Sequence, residues 1–376
     1  MRGLTLIGSG WHPHLFRAEI KALTGPLEVI HPRVVYIPHT DSAIRRLSRA
    51  ALLDEVLSSA GRVWLHTSIT DGELSQHIAE WAGSNLPKGS FAVRARNLGT
   101  GIDGLSRSAI EGEVGALVMS EANPVDLESP EHEIVVVLAG PEDGPIHRDS
   151  MSFIGPKVVW GLRESTWRRE SFAGRAPTDR PFFQPVSLDP RQARLLISLA
   201  HRAGVESTTV VDPFCGTGGI AIEAALQGLD ALASDLDDRM VEGTRQNLDW
   251  AGVSASVEMS AVADVASVWG ERSGCIFAFD PPYGRSSWKS DDGLELLLEA
   301  MSAAHQIDSQ GAVCTMLPAG PETLSQESEQ DYQVMGRPWG EVEALIREHG
   351  WMPVLKSPIR VHRSLARMVV VCHPAD

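Results

Sequence analysis

The sequence predicts an α/β fold whose C-terminal half is a doubly wound, mostly parallel sheet with an antiparallel last strand, preceded by an α+β region. Three observations predict it. From Thr208 onward, short apolar runs alternate with helix-like stretches, and only crossover helices join parallel strands. A β-branched run, Thr208 to Phe214, enters a glycine-rich loop that opens a helical stretch. The last two extended runs, Val354 to His362 and Ala366 to Cys372, are separated by a tight turn and must pair antiparallel.

Taken in order, Ser42 to Leu57 is expected to be helical, with Gly72 to Trp81 as a second helix. Phe91 to Arg96 and Glu133 to Leu138 read as strands, and Ser106 to Met119 as a helix with Ile110, Val114 and Val118 on one face. Thr166 to Pro185, rich in Arg, Pro, Gly and aromatics without clear periodicity, reads as a linker. After the glycine loop, Gly219 to Gln227 is a helix and Ala231 to Asp235 a strand ending in an acid. Asp238 to Ala251 is a helix carrying Met240, Thr244 and Leu248 at four-residue spacing, and Ser256 to Ser260 is a weak strand. Cys275 to Asp280 is a strong strand, Leu294 to His305 a helix, Ala312 to Leu317 a strand and Val342 to Glu348 a helix.

A chain of 376 residues suffices for two or three domains. With 43% hydrophobic and 22% charged residues it has a globular composition, and no run approaches the ~20 apolar residues of a membrane span. The apolar stretch at the N-terminus is too short for a secretion signal, so a cytoplasmic location is expected. Cys215, Cys275, Cys314 and Cys372 lack metal-knuckle spacing and are expected as buried free thiols. His12 and His14 have no further ligand nearby, so no metal site is expected and the pair reads as surface polar residues. The formal charge of -16 runs against a nucleic-acid partner, although net charge governs the long-range field and not local sites. Between Lys157 and Arg194, eight positive and four negative residues leave a local +4, either a solvated linker or a phosphate-tracking surface.

Two stretches carry chemistry. In Asp212-Pro213-Phe214-Cys215-Gly216-Thr217-Gly218-Gly219, glycines accept a strained turn and let backbone amides approach a ligand. Asp235, 19 residues after Gly216 at the end of the next strand, is placed to accept both hydroxyl protons of a ribose. The candidate cofactor residues are therefore Asp212, Phe214, Gly216, Gly218 and Asp235. Asp264, beyond a weak strand, is either an acceptor for an adenine amine or a solvated loop acid. A dinucleotide fits poorly, because position 221 is Ala and an acid at 212 repels pyrophosphate. That acid suits an ammonium, such as the one on the methionine part of S-adenosylmethionine.

The second stretch is Asp280-Pro281-Pro282-Tyr283, at the end of the strong strand. The Asp280 carboxylate and the Pro281 carbonyl can accept the two protons of an exocyclic amine and turn its lone pair out of the ring plane, while Tyr283 can stack on the base. Asp280, Pro281 and Tyr283 are the candidate catalytic residues, and an Asp-capped Pro-Pro turn is the plainer alternative. Cys215 lies in the cofactor loop, away from the reacting strand end, and reads as a packing residue.

Together, Asp212–Gly219, Ser234-Asp235-Leu236-Asp237 and Asp280–Gly284 resemble the class I methyltransferase motifs of tRNA guanine-N2 methyltransferases, most closely the archaeal branch acting on guanosine 10. Arg180–Pro185 resembles the entry segment of that domain, and Arg360–Leu365 the loop before its last strand, where the family's Ser-Leu-Thr-Arg is here Ser364-Leu365-Ala366-Arg367. Phe91–Arg96 with Val125-Asp126-Leu127 resembles a THUMP domain. The resemblance implies a ferredoxin-like region over 1–55, a THUMP tRNA-binding domain over 56–160, a linker over 161–185 and a Rossmann-like methyltransferase domain over 186–376. It also implies S-adenosylmethionine as cofactor and tRNA as partner; a small activating protein partner is left open by the sequence, and no membrane partner is expected. Two other functions share these features: an adenine-N6 nucleic-acid methyltransferase, and a tRNA-binding adaptor with an inactive methylase half.

Overall fold

The computed structural model of the chain describes residues 3–64, 69–142, 155–185, 187–282, 291–325, 332–362 and 365–375. The chain divides into two compact units, Met1–Ser48 with Leu52–Arg169, and Arg49–Ala51 with Glu170–Asp376. The change of unit falls inside the expected linker.

The first unit holds β1 (Gly3–Gly8), α1 (Pro13–Thr24), β2 (Glu28–His31), β3 (Val34–Pro38), α2 (Asp41–Leu47), β4 (Leu53–Trp64), α3 (Asp71–Asn85), β5 (Phe91–Leu98), α4 (Arg107–Val118), β6 (His132–Ala139) and β7 (Lys157–Arg163). Its seven strands form one sheet in the order β2-β3-β1-β4-β7-β6-β5, antiparallel except for the β5–β6 pair. Alternation along β6 serves both faces. Ile134, Val136 and Leu138 pack with α3 and α4, while Val135, Val137 and Ala139 pack with Ile7, Ile30 and Val34.

Several expectations are corrected here. The helix expected over Ser42 to Leu57 stops at Leu47, because Leu53, Val56 and Leu57 are buried in β4, where sheet pairing outweighs local helical spacing. The domain boundary expected at 55–56 falls within β4. That strand pairs with β1 through Leu53–Ser58 and with β7 from Leu57 onward, and the register shifts between Ser58 and Gly61, where Ser59 has φ 53°. One sheet thus runs through both expected N-terminal parts. The expected linker also begins too early, since Gly161–Arg163 complete β7. His12 is buried rather than surface-exposed, its Nδ1 accepting the Leu15 N–H at 3.2 Å to cap α1.

The second unit holds α5 (Pro190–Ala200), β8 (Thr209–Asp212), α6 (Gly219–Leu226), β9 (Asp230–Asp235), α7 (Asp238–Ala251), β10 (Ser256–Met259), α8 (Val265–Trp269), β11 (Cys275–Phe279), α9 (Asp291–Ile307), β12 (Ala312–Ala319), β13 (Gln333–Val334), β14 (Arg337–Pro338), α10 (Trp339–Glu348), β15 (Trp351–His362) and β16 (Leu365–Pro374). The order is β10-β9-β8-β11-β12, parallel throughout, with antiparallel β16 inserted between β12 and β15 and a small β13–β14 hairpin on the end of β12. The expected parallel sheet with an antiparallel last strand is present. The chain winds away from β8 in both directions, and the ligand crevice of such sheets opens at the strand carboxyl ends at that switch point.

α5 lies outside the expected elements, and its start is marked by Asp189-Pro190: the Asp189 carboxylate accepts the Arg191 N–H at 2.9 Å and proline takes the first turn. The sheet core is anchored by Trp351, fully buried edge-on to Phe277 with its Nε1 donating to the Met301 carbonyl at 2.8 Å. All four cysteines are buried and free. The positive stretch is largely consumed within each unit. Arg163 and Arg169 pair with Glu55, Glu133 and Asp54 in the first; Arg175 and Arg194 enclose the fully buried Glu223 and also hold Glu170 in the second. Among the described residues, no helix is long and apolar enough to cross a membrane, and no cluster of His, Cys, Asp or Glu could hold a metal ion.

Candidate active site

A cleft of about 600 Å³ opens at the carboxyl ends of β8, β9 and β11. It brings together Asp212, Phe214, Gly216, Asp235, Asp280 and Pro281 of the expected residues. Tyr283 lies outside the described residues. Gly218 and Asp264 are not among the lining residues, for different reasons.

Gly218 caps α6 in the left-handed region (φ 78°), and a Cβ there would stand 2.8 Å from Thr244 Cγ2. It lets the loop press against α7 and does not face the cleft. Gly216 (φ 52°) lines the cleft, and a Cβ on it would meet only the Phe214 carbonyl oxygen, at 4.0 Å. Thr244 Oγ1 donates to the Gly216 carbonyl at 2.9 Å, tying the loop to α7. Asp264 is exposed in the turn before α8. β10 is only four residues long and the Ser260 N–H bonds the Asp235 carbonyl at 3.0 Å, so the chain meets the cleft at Ser260, Ala261 and Val262 and has turned away by residue 264.

The Asp235 carboxylate is held by two amides, Gly216 N–H to Oδ2 at 2.9 Å and Asp237 N–H to Oδ1 at 3.0 Å. Asp212 is buried and accepts the Phe214 N–H at 3.1 Å. Burial pushes its carboxyl up to about 8, with the Asp235 and Asp280 charges adding to the rise against that hydrogen bond. Phe214 packs edge-on against Phe279, ring centres 5.8 Å apart. Burial also raises Asp280, to about 6, opposed by the Arg367 guanidinium, whose Nη1 lies 3.0 Å from Oδ1. At neutral pH Asp280 is thus mainly a carboxylate able to accept protons. Burial pushes the Cys215 thiol far up, so it stays an unreactive packing group.

Arg367 is the lining residue that sequence reasoning missed most plainly. It was legible only as the last letter of Ser364-Leu365-Ala366-Arg367, and its role needed the insertion of β16 beside β12. Leu236, Met240 and Val262 supply apolar lining, and Ser187 accepts a hydrogen bond from Thr217 Oγ1 at 2.9 Å, fixing the segment before α5 on the loop. Among the described lining residues, five acids (Asp212, Asp235, Asp237, Asp280, Glu299) face one arginine. That balance favours ligands rich in donors and cations over polyphosphates.

Residues 177–347 match the family described as "RMKL-like, methyltransferase domain". In fold the chain is similar to TrmN from Thermus thermophilus, with a TM-score of 0.51, 18% identity and full coverage of both chains. It is 30% identical over 261 residues to the tRNA (guanine(10)-N2)-dimethyltransferase of Pyrococcus abyssi, covering 69% of this chain and 71% of that one. Over 331 residues it is 32% identical to the protein of the same name from Methanothermobacter thermautotrophicus, covering 87% of this chain and 83% of that one. With motifs, cleft and similarity over most of its length in agreement, the chain belongs to the tRNA (guanine(10)-N2)-dimethyltransferase family.

Proposed function

We propose that this protein methylates the exocyclic N2 of a tRNA guanosine, guanosine 10, from S-adenosylmethionine. The observation that carries the reading is the meeting, in one cleft, of the acid and prolines ending β11 with the acids ending β8 and β9. The cofactor fits the residues present. The cleft has space above Gly216 that a Cβ would fill, a buried acid at β8 for an ammonium, an amide-held acid at β9 for a ribose, and apolar walls for a purine. When bound, S-adenosylmethionine supplies an electrophilic methyl group.

The chain's own residues do the rest. The aniline-like amine of guanine is a weak nucleophile because its lone pair is delocalised into the ring. Asp280 and the Pro281 carbonyl accept its two protons, which localises the lone pair on nitrogen. Forming the N–C bond would break the methyl–sulfur bond, its electron pair staying on sulfur as a neutral thioether, and Asp280 is placed to take the amine proton and pass it to water. The base must leave its stack to reach this strand end. The two donors of the guanine amine suit an acid-lined cleft.

The seven-stranded unit, in the same reading, is the ferredoxin-like and THUMP pair that grips tRNA, and a small activating protein is a second partner within the proposal. Unmodified tRNA incubated with labelled cofactor, digested and resolved by nucleoside mass spectrometry tests the reading. N2-methylated guanosine at position 10 is expected; N6-methyladenosine, or no product despite cofactor binding, overturns it. Asp280→Ala is expected to keep cofactor binding and abolish product.

A further inference from the structure

We propose that Arg367 is a positioning residue for methyl transfer, holding Oδ1 of Asp280 so that Oδ2 is the oxygen offered to the substrate amine. The proposal rests on the function given above and assigns a residue to it that neither motif includes.

The placement is built into the sheet. β16 lies antiparallel to β12 on one side and β15 on the other, with Arg367 opposite Pro318 and Ile359. Its neighbours Ala366 and Met368 are fully buried on one face, so alternation sends Arg367 to the other. From there it reaches past β12 to the end of β11, where its Nη1 meets Oδ1 at 3.0 Å, both side chains being one-fifth exposed. No described residue bonds Oδ2 of Asp280. This contact restrains Oδ1 and leaves Oδ2 as the oxygen turned to the cleft's ligand.

The surroundings make the charge of Arg367 matter as well. The other titratable acids that line the same cleft are Asp212 from β8, Asp235 and Asp237 from the end of β9, and Glu299 from α9. Burial favours a protonated Asp280, which cannot take the amine proton. Arg367 is the sole described lining cation, and its charge opposes that protonation.

The test compares wild type, Arg367→Gln, Arg367→Lys and Asp280→Asn as full-length proteins. It measures kcat and KM for tRNA from pH 5 to 9, S-adenosylmethionine affinity by calorimetry, and melting temperature. Arg367→Gln is expected to keep cofactor affinity and KM within about twofold, to lower kcat about tenfold or more at pH 7.5, and to move the acid limb of the kcat profile upward by about one unit or more. Arg367→Lys, which restores charge without the planar fork, is expected to return the acid limb toward wild type with only partial recovery of kcat. In the Asp280→Asn background, Arg367→Gln is expected to add no further loss.

An unchanged acid limb, or a loss confined to KM with steep salt dependence, overturns the inference and makes Arg367 an RNA phosphate contact. Should Arg367→Gln fail to fold, Arg367→Lys decides: a lowered kcat with KM and cofactor affinity kept supports positioning, and wild-type kcat or a loss confined to KM overturns it. Wild-type rates in Asp280→Asn would instead overturn the underlying site reading, so the two failures are distinguishable.

Discussion

Asp212→Asn is expected to stabilise the empty protein while weakening its cofactor binding. Asp212 is 3% exposed, and burial beside Asp235 and Asp280 lifts it to about 8. In the unfolded chain it ionises near ~3.9. Between those values the native state holds a proton that the unfolded state has released, so rising pH withdraws stability across this window and the deficit is complete above pH 8. At about 1.4 kcal/mol per unit the ceiling is about 5–6 kcal/mol, and relaxation around the charge leaves an expected gain of about 2–4 kcal/mol for the neutral amide at pH 8. Asparagine is nearly the same size and still accepts the Phe214 N–H through Oδ1. Urea denaturation of both proteins at pH 5, 7 and 8.5 reads the effect. The difference should be small at pH 5 and grow with pH. Calorimetry should show S-adenosylmethionine binding weakened roughly tenfold to hundredfold, the value of a charged hydrogen bond. A variant that is no more stable than wild type at pH 8.5, or a difference that does not change with pH, refutes the buried-acid argument. Unchanged cofactor affinity refutes the ammonium assignment.

Other outcomes follow from the same geometry. Asn247 accepts the Phe182 N–H at 2.9 Å and donates to the carbonyls of Phe182 and Thr217 at 2.8 and 2.9 Å, so Asn247→Ala should lose about 2–4 kcal/mol in urea melts and weaken cofactor binding by loosening the loop. Glu223→Gln leaves Arg175 and Arg194 with Glu170 as their remaining acid in this cluster and should lose about 2–4 kcal/mol of stability, read by denaturation. Cys215→Ala should retain methylation with a stability change within about 1–2 kcal/mol, since the unreactive thiol packs and makes one weak contact, 3.6 Å to Thr244 Oγ1; loss of activity in a folded variant would refute that role.

Much of the methyltransferase unit was legible because its signals are local. The β-branched entry to Asp212, the glycines at 216 and 218 and the acid-proline end of β11 each act within a few residues of themselves. Asp264 was misplaced because the sequence marks an acid after a strand but not how early a four-residue strand lets the chain turn away. The helix expected up to Leu57 failed for a related reason: Leu53, Val56 and Leu57 have helical spacing, and only the partners β1 and β7 make them a strand.

The sequence by itself determined which groups could do the chemistry, because an acceptor, a proline carbonyl or a glycine turn is a property of residue type and near neighbours. The tertiary structure decided which groups share an environment. Burial beside two other acids raised Asp212, and an antiparallel strand inserted late in the chain set Arg367 against Asp280, 87 positions away. Desolvation and charge pairing depend on what lies within a few ångströms, and distance along the chain carries no record of that.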